Sequence, residues 1–143
     1  MAKFVNPLIQ SREQAHIFHL TTKSFAAHSA LKEYYTSIVG YIDRFIETYA
    51  AKHKTLGNFR GSGQLMKNAT VPQMVKYFQG LAKTIRLIKT PKTEPWLENI
   101  KLEVLELIMN TIYRLQLDGS RKRKTTQGVS ESEQGVYPNV RAE

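Results

Sequence analysis

The residues Leu31, Tyr35, Ile38, Ile42, Phe45 and Tyr49 step along the chain by 4, 3, 4, 3 and 4. At 3.6 residues per turn this spacing keeps all six on one stripe of an α-helix, running from roughly Phe25 to Lys52. A helix with one apolar stripe must bury it against other helices. The seam therefore asks the rest of the chain for helical partners.

Three further segments carry the same period. The first begins near Ser11, which with Gln14 has the spacing of a capping box, and continues through Ala15, Phe18 and Leu20 to about Lys23. Another opens at Thr70 with Gln73 as its capping partner and Pro72 in the first turn. It repeats apolar residues at Val71, Met74, Phe78, Leu81, Ile85 and Ile88 before Pro91. The last follows Thr93-Glu94-Pro95, carries Leu97, Ile100, Val104, Ile108, Ile112 and Leu115, and meets a stop signal at Asp118-Gly119. No strand-like alternation competes with these periods. Short links make antiparallel hairpins of helices one and two and of helices three and four. The link from Lys54 to Ala69 is long enough to travel the length of a bundle. The expected fold is all-α: a four-helix bundle over residues 1–118, ferritin-like with one long crossover, followed by a flexible basic tail over residues 119–143.

Composition narrows the chemistry. A chain of 143 residues that is 41% hydrophobic can bury one sizeable core. It has no cysteine, so disulfides and thiolate chemistry are excluded and any metal must use histidine or carboxylate ligands. No stretch approaches the roughly 20 apolar residues of a membrane span, and no secretion signal is visible, so a soluble intracellular protein with no membrane partner is expected. Gly57-Asn58-Phe59-Arg60-Gly61-Ser62-Gly63 contains glycines but lacks the Gly-Lys-Ser ending of a phosphate loop.

The formal charge is +9. Such a balance attracts polyanions: nucleic acid first, with an acidic protein surface as the competing partner. Arg121, Lys122, Arg123 and Lys124 are four consecutive cations in the tail, suited to salt-sensitive phosphate neutralisation without sequence preference. A solubilising tail would look the same, and Glu131 and Glu133 dilute its charge. Lys83, Arg86, Lys89 and Lys92 form a second basic run, which equally complements the C-terminal end of helix three. Tyr34, Tyr35, Tyr41 and Tyr49 at helical spacing, and Trp96, read as packing residues.

One polar cluster has a spacing of its own: His16, His19, His28, Asp43 and Glu47. Asp43 and Glu47 are four residues apart and share a helix face, where they offer two carboxylates to a hard cation or pair with Arg44 or Lys52. His28 and Asp43 lie about 22 Å apart along one helix, so one chain cannot bring them to one metal. Two copies of helix two crossing antiparallel near Thr36 to Ile38 would bring His28 of one to Asp43 and Glu47 of the other.

Gln14-Ala15-His16, Phe25, His28, Asp43 and Glu47 resemble the Dps-type miniferritins of the ferritin-like superfamily. The likeness covers helix order over residues 10 to 118 and specific motifs over residues 14 to 47. It implies an iron-oxidation centre at a dimer interface, with two histidines 12 residues apart from one subunit and an Asp and Glu from its partner. His16 and His28 have that separation, and Asp43 and Glu47 fall 15 and 19 beyond His28. Lys32 stands where the family has a further iron-binding Asp, and His16-Ile17 replaces its His-Trp pair. An ammonium at position 32 repels a cation and can neutralise Asp43 or Glu47 across the interface. His19 is the alternative first-helix partner.

The stretch His19-Leu20-Thr21-Thr22-Lys23-Ser24-Phe25-Ala26-Ala27-His28, with Tyr35, Asp43 and Glu47, is similar to small Dps-like proteins encoded by bacteriophages. That likeness implies a ferritin-like fold and a place in the host cytoplasm or the virion, with no assured reaction. The leading expectation is a DNA-binding protein that forms a homo-oligomer through helix two and holds nucleic acid by its basic tail and surface. The alternatives are a virion structural or host-interaction protein on a metal-free bundle, and an iron-oxidising enzyme using His16 or His19, His28, Asp43 and Glu47.

Overall fold

The computed structural model describes the backbone of residues 1–55, 57–61 and 63–127, and the side chains of these residues as far as residue 117. Four helices make up the fold: α1 (Ala2–Thr21), α2 (Phe25–His53), α3 (Val71–Arg86) and α4 (Pro95–Gln127). They form an all-α four-helix bundle, with no strand among the described residues.

The seam in α2 faces the core as its spacing requires. Leu31, Ile38, Ile42 and Phe45 are buried, and Tyr35 and Tyr49 are half-buried beside them. In α4 all six periodic residues from Leu97 to Leu115 are buried. In α3 the Thr70–Gln73 capping box forms in both directions: Thr70 Oγ1 accepts from Gln73 N–H, and the Gln73 side chain accepts from Thr70 N–H. This fixes where the helix starts.

Three boundaries differ from the expectation, the smallest at α3, which ends at Arg86 and leaves Ile88, Lys89 and Lys92 in the link to α4. Helix α1 starts at Ala2, about two turns before Ser11, with Pro7 inside it. Phe4, Val5 and Leu8 are fully buried there, and their burial outweighs the backbone hydrogen bond that Pro7 removes. Ser11 and Gln14 are consequently not a cap. Ser11 Oγ donates to the Leu8 carbonyl and shares a 2.7 Å hydrogen bond with Tyr34 Oη. Gln14 clasps Met66, accepting from its N–H at 2.7 Å and donating to its carbonyl at 2.9 Å.

Helix α4 runs through Asp118-Gly119 to Gln127, so the first residues assigned to the tail are helical. A glycine inside a helix costs only about 1 kcal/mol, and the Arg and Lys residues that follow are good helix formers well placed near a C-terminus. The expected flexibility of residues 128–143 lies outside the described residues.

The topology follows from pairings between helices. Arg44 pairs with Glu103 and Arg114 with Glu33, while His53 meets Glu94. From His53 to Arg44 to Glu33 the steps are nine and eleven residues back along α2, matched by nine and eleven forward along α4. The two helices are thus antiparallel in constant register. The α2–α3 connection climbs along α1: a methyl of Met1 lies beside Gly57, the Asn6 side chain accepts from Arg60 N–H, and Gln14 holds Met66. Phe18, near the end of α1, packs on Tyr77 and Phe78 in the middle of α3. The order is therefore up, down, a crossover the length of the bundle, then down and up. A side chain at Gly61 would press within 3.1 Å of Ile9 and Glu13, so glycine permits the crossover to lie close against α1.

Candidate functional site

The histidines gather where α1 turns into α2. Ser24 caps α2, its hydroxyl accepting from Ala27 N–H, and the tight Thr22–Ser24 link turns the chain back on itself. His19 and His28 then stack face to face, centroids 3.6 Å apart and planes inclined 24°. The Nδ1 of His19 lies 2.9 Å from the His28 carbonyl, and the Nδ1 of His28 lies 3.0 Å from the His19 carbonyl. A carbonyl only accepts, so both Nδ1 atoms carry protons and both Nε2 atoms are outside these bonds. His16 is exposed and stands over Tyr35 at 4.7 Å between centroids.

Asp43 and Glu47 lie far along α2 from the histidines; Asp43 is exposed, and Glu47 borders a shallow hollow with Thr48, Ala51, Lys52 and Trp96. Trp96 is 44% exposed at its rim, a looser packing residue than its place in the first turn of α4 suggested. Lys32 is exposed on the same helix as the carboxylates. Among the described residues no three histidine or carboxylate side chains gather as a metal site. Within one chain the donor set does not fit iron, because the histidine pair and the carboxylate pair are separated by the length of a rigid helix. Only the two-chain arrangement remains for them.

A different constellation comes from the ends of the elements. Lys3 lies in the first turn of α1, Lys54 closes α2 in a left-handed conformation (φ 54°), and Arg60 is held beside Asn6. Lys83 and Arg86 lie in the last turn of α3, and Lys89 and Lys92 in its link to α4. The topology delivers all of these to one end of the bundle, where all are exposed and none forms an ion pair with a described residue. Two carboxylates nearby, Glu94 and Glu98, are engaged, whereas Glu13, beside Gly61, is exposed. Glu94 is buried and receives His53 Nε2 at 2.9 and 3.1 Å, with Lys52 Nζ at 3.7 Å. Glu98 accepts from the Thr90 hydroxyl, which together with nearby Lys101 holds its carboxyl below the usual range. Sequence reading found Lys83, Arg86, Lys89 and Lys92 but missed Lys3, Lys54 and Arg60, because only the crossover brings these together.

Arg121, Lys122, Arg123 and Lys124 belong to α4, and their side chains lie outside the described residues. The α2–α4 register carries their backbone to the opposite end, beside the histidine turn.

These features define a class: a helical-bundle protein with a strongly basic end and no helix, among the described residues, long and apolar enough to cross a membrane. The chain belongs to the family of unknown function DUF5856, whose model matches residues 19–115, from His19 to the last buried leucine of α4. No curated protein and no solved structure matches the chain.

Proposed function

We propose that this protein binds nucleic acid non-specifically, through the basic end of the bundle together with the Arg121–Lys124 run, as a self-associating Dps-like protein. The observation that carries the reading is the convergence of Lys3, Lys54, Arg60, Lys83, Arg86, Lys89 and Lys92 on one end, where Glu94 and Glu98 are already paired and Glu13 offsets only one of the seven charges. The C-termini of α2 and α3 also lie at this end and present a partial negative charge of about 0.5 each. Seven cations exceed what two helix ends absorb, which leaves a net attraction for phosphate. The single long crossover is the helix order that the likeness to Dps-type miniferritins implies, and the ferritin-like assignment rests on that order.

The test is retention of a short DNA duplex by the full chain as salt is varied. Binding near 50 mM salt should weaken steeply by 200 mM, and log affinity should fall linearly with log salt. Replacing Lys83, Arg86, Lys89 and Lys92 by Gln should weaken every duplex about equally and reduce the slope by about one for each phosphate that is no longer neutralised. Retention absent even at low salt sinks the reading and leaves an acidic protein surface as the partner.

A further inference from the structure

The core-facing stripe of α4 leaves a second apolar stripe on its outer side. Leu102, Met109, Tyr113 and Leu117 are 51%, 53%, 60% and 49% exposed. They step by 7, 4 and 4 residues, so they lie within about 80° of one another around the helix and span about 22 Å along it. Together they form an apolar stripe, interrupted only at Glu106, on the order of several hundred Å², the size at which a patch on a soluble chain signals a contact. The exposed large apolar side chains elsewhere are scattered one or two to an element. On α2, for instance, only Phe25 is of this kind, and the rest of its outward face carries Lys32, Thr36, Gly40, Asp43 and Glu47.

We infer that the outer face of α4 is a homodimer interface, on which a second copy docks antiparallel about a two-fold axis near Met109. Three observations select a second copy as the occupant. The stripe is nearly symmetric about its middle: an antiparallel partner sets the Leu102 end of one copy against the Leu117 end of the other, and the central methionines meet. Its one charged member, Glu106, is exposed and lies as far before the stripe's centre as Tyr113 lies after it, so the two-fold turns Glu106 towards the same tyrosine of the second copy, whose hydroxyl can donate to it. The flanking charges Glu103 and Arg114 are already tied back to Arg44 and Glu33 of the same chain, leaving no unpaired ion to desolvate at that rim. Asn99, Asn110 and Gln116 border the stripe with neutral polar groups, and a contact of this modest extent fits a reversible dimer. This inference does not rest on nucleic-acid binding.

The absence of cysteine in the chain makes the test direct. The mass of the full chain in solution should move from monomer towards dimer as concentration rises. Met109→Cys should form a disulfide-linked dimer on mild oxidation. Leu102→Cys alone should not, and Leu102→Cys combined with Leu117→Cys should. Met109→Lys should hold the protein monomeric with its helical circular dichroism unchanged and a Tm that no longer varies with concentration. A monomer at every concentration overturns the inference, as does a dimer that Met109→Lys leaves intact and Asp43→Lys dissolves, which would place the interface on α2. A chain that dimerises only after removal of residues 128–143 overturns it too, by showing that its own C-terminal segment covers the stripe.

Discussion

His19 and His28 each place Nδ1 on the other's backbone carbonyl while their rings stack 3.6 Å apart. The link between α1 and α2 is thereby closed by two reciprocal hydrogen bonds, each of which depends on the other ring's backbone. His28→Ala removes one bond and leaves the buried His19 carbonyl without its ring partner, and should cost about 1–3 kcal/mol by urea unfolding. The double variant His19→Ala/His28→Ala should cost less than the sum of the single ones, a coupling that a double-mutant cycle measures.

Glu94 is a buried carboxylate whose principal partner is His53. His53→Ala leaves only the Lys52 ammonium at 3.7 Å, and the loss should be about 1–3 kcal/mol, concentrated where α2 meets the start of α4. Faster hydrogen exchange in the first turn of α4 would report it. If exchange there is unchanged, the pair does not hold that junction.

Glu98 provides a pH dependence. Its carboxyl is held below the ordinary value, first by the Thr90 hydroxyl and then by Lys101. A group depressed in the folded state stabilises fully above its unfolded value, and that stability is lost as pH falls through the folded value. Thr90→Val should therefore lower stability near neutral pH and flatten its decline in acid. A parallel shift of the whole curve would exclude Glu98 as the responsible group.

Thr70 closes a reciprocal capping box, so Thr70→Ala should cost about 1 kcal/mol. Thr70→Asp should recover most of it, which thermal unfolding of the three proteins can read.

Helix two was legible in full and helix three at its start, because period and punctuation agree there: the seam from Leu31 to Tyr49, and Thr70 with Gln73; the end of helix three falls at Arg86, short of Ile88 and Pro91. The first half of α1 was not, since Pro7 reads as a breaker and Ser11-x-x-Gln14 imitates a start. Tyr34 and Met66, distant in sequence, are what those two side chains bind. Asp118-Gly119 imitates a stop in the same way. The candidate site was half visible: local cation runs show in one dimension, but Lys3, Lys54 and Arg60 join them only through the crossover. The outer stripe of α4 could have been found, because Leu102, Met109, Tyr113 and Leu117 repeat at helical spacing on the side away from Leu97 to Leu115.

The clasp of Gln14 on Met66 and the seating of Gly61 on Ile9 bind the crossover to a helix it does not lead to. Each hairpin is then a self-contained half, and the strap between them is fastened to the first. A protease that nicked the strap between Asn58 and Lys67 would leave two pieces, residues 1 to the cut and the cut onward, that still share the α2–α4 seam. Such fragments should travel together through a sizing column and part only in denaturant, as two proteins that recognise each other would.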